Sequence, residues 1–216
     1  MLEAGYRNQW TDGAAGRSVL QVFPLALLRI GIGSANEIVV LPPSAANRSG
    51  AILGGVFAPQ SGSEDAGVGL KRMLHDRAWY QDSAGFFYTA PTGTQGPIVF
   101  SAGTPTYTLT YTSSFPIGSR VAISATQNAT LVPQFFSYQP SLAVSFALNG
   151  KTTLILSDQI TTPLSSAGGT GNRALAAVQY VVSPRALVDA EYEINALPSA
   201  LAVRQRAIGI GGAWLF

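Results

Sequence analysis

The sequence has no cysteine, a single histidine and very little charge. Only 11% of its 216 residues are charged, against the roughly 25% typical of soluble domains. Without cysteine, the chain cannot use disulfide scaffolds, thiol nucleophiles or cysteine-based metal sites. The formal net charge of +2 is small, and Lys and Arg form no cluster along the chain. This argues against nucleic-acid binding, which needs a basic stripe.

The sequence also lacks a run of about 20 apolar residues, the length that a transmembrane helix requires. Its most apolar stretch, residues 19–32, is interrupted by Gln21, Pro24 and Arg29. A closed barrel of β-strands is the only other structure that satisfies its backbone hydrogen bonds inside a bilayer. Hydrophobic residues still make up 47% of the chain, which suits strands with one face toward lipid and the other toward a mildly polar interior.

The last ten residues of the chain alternate between an apolar face and a face of mostly small residues. Side chains alternate along a strand, so the apolar face comprises Ile208, Ile210, Gly212, Trp214 and Phe216. This stretch resembles the C-terminal strand of bacterial outer-membrane barrels, which ends in Phe and is recognised by the barrel-assembly machinery. A closing strand of a soluble β-sandwich is the alternative interpretation.

The start of the chain shows no export signal. A secretory signal has a basic beginning, an apolar core and a small-residue cleavage site, and Met1 to Tyr6 show none of these. For a barrel exported to the bacterial outer membrane, we expect that Met1 replaces a signal peptide that has been removed.

Alternating segments separated by clusters of Gly, Pro, Asn, Asp and Ser predict twelve β-strands. We place them near residues 2–10, 18–32, 36–43, 65–74, 78–90, 104–114, 119–130, 140–149, 152–162, 173–183, 186–195 and 203–216. The sequence therefore predicts one all-β domain over residues 1–216. We expect a transmembrane antiparallel up-and-down β-barrel of twelve strands, with both termini in the periplasm.

The connections between these strands alternate between short and long, as in a barrel with tight periplasmic turns and longer outer loops. The short ones lie near residues 33–36, 75–77, 115–118, 149–151 and 183–185. The long ones lie near residues 11–17, 43–64, 91–102, 131–139, 162–172 and 196–202. The segment 43–64 is too apolar for a plain solvent loop, so it either extends the strand wall or folds inward as a constriction.

Charged residues fall on the inward face of the predicted strands. Over residues 188–195, Asp189, Glu191 and Glu193 occupy one face and apolar residues the other. Closure of the last strand on the first would bring Arg7 within two strands of this acidic row. The predicted pore-lining residues are Arg7, Arg29, Lys71, Arg120, Arg173, Asp189, Glu191 and Glu193. They either set the selectivity of a polar pore or pair into a plug, because unpaired charge in a narrow barrel is costly.

Aromatic residues fall on the outward face, where the girdles of a membrane barrel lie. The predicted interface aromatics are Tyr107, Tyr111, Tyr180, Tyr192, Trp214 and Phe216. The partners expected on this interpretation are the lipid bilayer, lipopolysaccharide, the barrel-assembly machinery and a small-molecule solute, with no nucleic acid.

Three segments, in chain order, share motifs with a known family. They are Pro24 to Ile32 with the turn Ser34 to Glu37, then Ser63 to Lys71, then Phe86 to Gly93. Together they resemble the outer-membrane barrels of the MetA-pathway of phenol degradation family. That family typically has a strand ending Leu-Arg-Tyr-Gly-Leu, a Gly-Asp-Leu-X-Leu-Gly-Lys strand and a strand ending Pro-Thr-Gly. Here Ile30 replaces the Tyr, and Glu64 to Gly67 departs from Gly-Asp-Leu. The resemblance implies a transporter-like barrel that takes up hydrophobic or aromatic compounds.

No catalytic or metal site is evident, so the sequence predicts neither an enzyme nor a cofactor. His75 is the only histidine, and it falls in a predicted turn, where we expect it to be solvated. The chain has no Gly-X-Ser-X-Gly motif, and one His without Cys cannot make a typical metal site. The stretch Gly168 to Asn172 lacks the ending of a phosphate-binding loop and is predicted to be an outer loop.

The favoured hypothesis is an outer-membrane barrel that forms a narrow pore or binding channel for passive uptake of small solutes, hydrophobic or aromatic ones among them. The alternative is a non-conducting structural or adhesive barrel with a salt-bridge-plugged lumen. A soluble β-rich binding protein is a third interpretation.

Overall fold

The computed structural model describes residues 1–13, 16–52, 55–95, 100–133, 135–163, 171–197 and 204–216. Over these residues the regular structure is entirely β. The strand segments are β1 (Leu2–Gly13), β2 (Gly16–Ile32), β3 (Asn36–Leu41), β4 (Ala45–Ile52), β5 (Gly55–Ser63), β6 (Ala66–Arg77), β7 (Tyr80–Ala90), β8 (Thr106–Ile117), β9 (Val121–Val132), β10 (Phe135–Ala147), β11 (Thr152–Pro163), β12 (Gly171–Ser183), β13 (Ala186–Leu197) and β14 (Arg204–Trp214). None of the described residues forms a helix long and apolar enough to cross a membrane.

The segments form a closed antiparallel barrel of twelve strands, which confirms the predicted fold. The first and last segments pair along their length, from Leu2 with Trp214 to Asp12 with Arg204. The other edge of β1 pairs with β2, and from β6 to β14 each segment pairs with the next along the chain. The wall of the barrel therefore closes on itself.

Two of the twelve strands are each interrupted once. β2 pairs with β3 over residues 28–32 and with β4 over residues 18–23, so β3 and β4 are two halves of one strand. The break between them contains Pro42 and Pro43, which lack the N–H that a strand interior needs. β5 pairs with β4, and β6 pairs with β3. Residues 43–64 therefore extend the wall.

For two connections, the prediction of a long loop is wrong, because the structure has a short turn there. β1 runs to Gly13 and β2 begins at Gly16, and β9 runs to Val132 while β10 begins at Phe135. The polar residues in these stretches signal turns locally, but ladder pairing with the neighbouring strands overrides that preference. The predicted loops near 162–172 and 196–202 fall largely outside the described residues, except that Gly171 and Asn172 begin β12.

His75 lies in a strand, so its predicted place in a turn is wrong. β6 extends to Arg77 and β7 begins at Tyr80. The register of this pair shifts between Met73 and His75, which brings His75 opposite Asp82. Such an irregularity places one extra residue on a strand, and simple counting of residues between turn signals does not detect it.

The two faces of the wall differ in polarity. Large apolar side chains such as Leu109, Leu142, Val188 and Ile210 are exposed on the outer face. Within the described residues, only Val22, Val39, Ala46 and Ala207 are buried hydrophobics. The inner face of β8 and β9 carries hydroxyl pairs, including Thr108 with Thr130, Thr112 with Thr126 and Ser114 with Ser124. This is the reverse of a soluble domain, and it suits a wall surrounded by lipid.

Candidate pore lining

The acidic row lies on the inner face of β13, beside two glycines of β14. The ladder pairs Asp189 with Gly211 and Glu191 with Gly209. A Cβ atom at Gly209 would lie 2.5 Å from Oε1 of Glu191, and one at Gly211 would lie 2.9 Å from Oδ1 of Asp189. The glycines therefore leave the space that both carboxylates use to lie along the wall.

Arg7 reaches from β1 across β14 to the third acid of the row. Its Nη2 donates to both carboxylate oxygens of Glu193, at 2.9 and 3.0 Å. Arg173, on β12, makes a second ion pair with the same carboxylate, with its Nε 3.1 Å from Oε1. The Glu193 side chain is only 6% exposed, and two guanidinium groups offset the cost of removing its charge from water.

Arg29 forms a second ion-paired group on the inner face. Its Nε lies 2.8 Å from Oε1 of Glu3 on β1, and its Nη1 donates to Oε1 of Glu37 on β3 at 3.2 Å. Lys71 lies opposite Glu37 in the ladder between β3 and β6. Arg29 thus links three neighbouring strands through their side chains.

Arg120 does not lie on a strand, so its predicted place in the lining is wrong. It is exposed in the turn between β8 and β9, and β9 begins only at Val121. Gly118 opens this turn with a φ of +66°, a conformation that glycine adopts readily. The turn therefore extends two residues beyond the predicted strand start.

The inner charges border a cavity of about 550 Å³. Its charged lining includes Glu3, Arg29, Glu64, Asp65 and Asp189, and its apolar lining includes Leu25, Leu27, Leu41 and Leu187. The cavity therefore offers one solute both apolar and ionic contacts.

The connection between β7 and β8 folds back onto the wall at Asp65, in the break between β5 and β6. Oδ1 of Asp65 accepts a hydrogen bond from the backbone N–H of Gly93, and Oδ2 accepts one from Ala102, both at 2.8 Å. One carboxylate thus holds two ends of the connection.

Phe100 brings an aromatic ring from this connection to the inner face of β5. The ring occupies the space beside Gly62 that a Cβ atom would need. Gly62 pairs with Ala46, which pairs with Val22, and both of these residues are buried. The Phe100 ring therefore narrows the lumen at the level of Gly62 and Ala46. No local pattern in the sequence indicates these contacts, because they join residues far apart in the chain.

Five of the six predicted interface aromatics are exposed on the outer face. They are Tyr107, Tyr180, Tyr192 and Trp214, and Phe216 after the end of β14. The sixth, Tyr111, uses its hydroxyl for a hydrogen bond, which it donates to Oδ2 of Asp82 at 2.8 Å.

Asp82 is the centre of a polar cluster that the sequence did not reveal. Its side chain is only 4% exposed, although it belongs to the outward-facing set of β7. The hydroxyl of Tyr80 donates to Oδ2 at 2.9 Å, and Nδ1 of His75 lies 2.9 Å from Oδ1. The cluster contains one acid and one histidine. Among the described residues, no group of three or more His, Asp or Glu side chains could hold a metal ion.

A closed twelve-stranded wall with an apolar outer face and a polar inner face is the fold of outer-membrane β-barrels. The COG4313 outer membrane channel from Pseudomonas putida F1 matches the whole chain and 95% of its own chain, at a TM-score of 0.76 and 12% identity. The NanC porin matches 99% of this chain and 100% of its own, at 0.67 and 8%. The KdgM porin, solved in complex with disordered oligogalacturonate, matches 99% of both chains, at 0.62 and 9%.

These similarities show the fold and do not extend to a sequence family. No protein-family model matches the chain, and no curated protein matches its sequence. The resemblance to the MetA-pathway of phenol degradation family therefore stays a prediction.

Proposed function

We propose that this protein is an outer-membrane channel through which small solutes pass passively. The observation that carries the proposal is the direction of the inner ion pairs. Arg29 pairs with residues on the two strands next to its own, and Arg173 pairs with the adjacent β13. Arg7 reaches one strand further. Over the described ranges, no ion pair crosses the lumen, whereas a salt-bridge plug requires pairs between opposite walls.

The opposite wall supports the same proposal because its inner side chains are short and satisfied locally. Thr110 donates to Oδ1 of Asn128 at 2.8 Å, between the hydroxyl pairs of β8 and β9. Twelve strands enclose more space than the eight that side chains alone can fill, and less than the sixteen of a general porin. A narrow, polar passage fits this geometry.

The lining of the cavity supports solutes with apolar surface. Leu25, Leu27 and Leu41 lie on one side of it, and Leu187 on another. Binding pockets for small molecules commonly combine such apolar surface with a few polar groups that fix orientation. We infer that the solutes are small and hydrophobic or aromatic. A charged group on such a solute could pair with Arg29 or Asp189.

The same proposal places the chain in the bacterial outer membrane with both termini in the periplasm. The outer face then contacts lipid, the outer rim contacts lipopolysaccharide, and the C-terminal strand engages the barrel-assembly machinery during insertion. No enzymatic role is proposed.

Single-channel recording in planar bilayers tests the channel. Asp189 and Glu191 make no ion pair within the part of the chain that the structure describes, so no direct partner neutralises their charge in the lumen. We expect discrete conductance steps with a preference for cations. The double variant Asp189→Asn/Glu191→Gln should lower the cation-to-anion permeability ratio by roughly twofold or more, because charge rings set selectivity.

The matched control is Asp76→Asn/Asp158→Asn, which removes the same charge from exposed positions and should leave the reversal potential unchanged. An equal shift in both variants would show that net charge, not the lining, sets selectivity. Well-folded, heat-modifiable protein that gives no conductance steps would favour the plugged, non-conducting alternative.

A further inference from the structure

A recess with three arginines around it lies near the end of β1. Asp12 lies opposite Arg204 of β14 on one side and Arg17 of β2 on the other, and Trp10 lies opposite Arg206. A recess of about 250 Å³ is lined by Trp10, Asp12, Arg17, Tyr192 and Arg206. We call this the arginine recess, with Arg204 at its edge.

The arginine recess opens to the outside of the barrel. Along β1, Trp10 and Asp12 share the face of Leu2 and Tyr6, which are exposed on the outer wall. Along β14, Arg204 and Arg206 share the face of the exposed Ile210. The lumen-facing residues of β1, such as Arg7, alternate with this set. A ligand of the recess therefore comes from the membrane or its surface.

The recess lies at the level of a membrane interface. A strand rises about 3.3 Å per residue and is tilted by roughly 40° in such barrels. From Phe216 to Arg204 this gives roughly 30 Å along the membrane normal, which is close to the thickness of the hydrocarbon core. If Phe216 lies at one interface, Arg204 and Arg206 lie at the other.

The recess carries an excess of positive charge. Nε of Arg17 pairs with Oδ1 of Asp12 at 2.6 Å, which neutralises one arginine. Arg204 and Arg206 are exposed and make no ion pair within the described ranges. Both lie close enough to Asp12 for their charges to act on its carboxyl. Two guanidinium groups are therefore available, on alternate residues of one strand face.

We propose that the arginine recess binds the phosphate groups of lipopolysaccharide in the outer leaflet. The proposal rests on the orientation given under the proposed function, in which this end of the barrel faces outward. Arginine binds phosphate through two parallel hydrogen bonds, and two arginines two residues apart are spaced by roughly 7 Å. They can serve the two phosphates of one lipid A headgroup or one phosphate together. Trp10 and Tyr192 provide an aromatic surface, as is usual at an interface.

Native mass spectrometry of the folded barrel tests the proposal. The protein in non-ionic detergent is titrated with diphosphoryl lipid A and, separately, with phosphatidylglycerol, and the bound fraction is read from the mass. We expect one saturable lipid A site and at least about tenfold weaker binding of phosphatidylglycerol, which presents a single phosphodiester. Equal binding of the two lipids would overturn the proposal in favour of a general phospholipid contact.

Three variants locate the site. Arg204→Gln/Arg206→Gln should weaken lipid A binding by about tenfold or more, because two charge-assisted contacts are lost. The matched control Arg72→Gln/Arg77→Gln removes the same charge from exposed positions toward the other end and should bind like the unmodified protein. Asp12→Asn should strengthen binding, because Arg17 is released from its partner.

Equal loss in the two double variants would overturn the proposal, because attraction by net charge would then suffice. Unchanged binding in Arg204→Gln/Arg206→Gln would do the same. Weaker binding in Asp12→Asn would also overturn it, because the released guanidinium of Arg17 should add a contact to phosphate. The conductance of Arg204→Gln/Arg206→Gln should be unaffected, so a failure of this proposal is distinguishable from a failure of the channel. A protein that binds lipid A but never conducts would contradict only the channel.

Discussion

At the scale of single residues, Gly209 matters for the side chain that it lacks. Nothing about its backbone requires glycine, since it lies inside β14 with no positive φ. What requires glycine is Glu191, whose Cγ, Cδ and Oε1 atoms all lie within 3 Å of the position a Cβ would take. The missing methyl group therefore fixes where one lumenal carboxylate lies.

Gly209→Ala should displace Glu191 and destabilise the barrel by roughly 1 kcal/mol or more, since overpacking in a confined site carries such a cost. Removing the displaced side chain in the same molecule should restore most of the loss. The measurement is the urea midpoint of the folded barrel in detergent for Gly209→Ala, Glu191→Ala and the double variant. A coupling energy of roughly 1 kcal/mol is expected from this cycle.

Gly31→Ala is the matched control, because a Cβ at this β2 position would meet no atom within 4 Å. Its urea midpoint should correspond to a change of about 0.5 kcal/mol or less in the free energy of unfolding. Additive effects of Gly209→Ala and Glu191→Ala would contradict the steric coupling.

The face of the wall on which a side chain lies can be predicted from the sequence where the alternation of residue types is regular. A row of three acids at alternate positions cannot face lipid, so the side of the wall that holds Glu191 follows from the sequence alone. Asp82 shows the limit. It belongs to the outward set of β7, yet its carboxylate is buried. Pairing across three strands brings Tyr80, Tyr111 and His75 to this carboxylate, and their contacts offset the cost of burying its charge.

At the scale of elements, the connection between β7 and β8 depends on Asp65. Besides the two bonds to the Asp65 carboxylate, the backbone N–H of Ser63 donates to Oγ1 of Thr94, and that of Ala66 donates to Oγ1 of Thr92, both at 2.9 Å. The Asp65 bonds have a charged acceptor, and such hydrogen bonds are roughly twice as strong as those between neutral groups. The attachment of this connection should therefore depend mainly on the Asp65 carboxylate.

At neutral pH, Asp65→Asn should accelerate amide hydrogen exchange at Gly93 and Ala102 by roughly tenfold, because hydrogen bonds to a charged acceptor are replaced by weaker ones. Exchange rates of the folded barrel in detergent, compared with those of the unmodified protein, measure this effect.

Asp76→Asn is the control for the effect of losing one carboxylate, because Asp76 accepts its hydrogen bond from the exposed side chain of Gln81 and lies away from this connection. Its exchange rates at Gly93 and Ala102 should match those of the unmodified protein. Equal protection in Asp65→Asn would show that the threonine contacts suffice.

Most strands could be predicted because alternation and turn residues act within a few positions of each other. The interruption of two strands could not be predicted. One of these strands divides into β3 and β4, and the other divides into β5 and β6. Pro42 and Pro43 mark a break in the ladder, but the same residues also begin many loops. Only pairing of β4 with β2, whose residues lie more than twenty positions earlier in the chain, shows that the strand resumes.

At the scale of the whole molecule, the charges of the lumen are distributed unevenly. The ion pairs of Arg7, Arg29 and Arg173 all lie on the wall formed by β12 to β14 and β1 to β3. The facing wall, β8 and β9, carries hydroxyl and amide groups. These ion pairs run along one side of the wall and do not cross the lumen, an arrangement that supports the proposed channel over the plugged alternative.

Closure of this wall depends on β14, yet the last residue contributes little to it. The ladder of β14 ends at Trp214, which pairs with Leu2 on one side and Ala186 on the other. Phe216 lies beyond these pairs and is 79% exposed. We therefore predict that Phe216 serves the proposed engagement of the assembly machinery and adds little to the stability of the finished barrel.

Phe216→Ala should leave the urea midpoint of barrel refolded in detergent within about 0.5 kcal/mol of the unmodified value. If the C-terminal strand engages the assembly machinery as proposed, the same variant should reduce the amount of heat-modifiable barrel in the outer membrane of bacterial cells several-fold. Leu142→Ala is the control, since it removes an equally apolar, 54% exposed side chain from an internal strand and should assemble normally. A stability loss in detergent as large as the loss in cells would assign Phe216 to packing and would contradict the proposed recognition role.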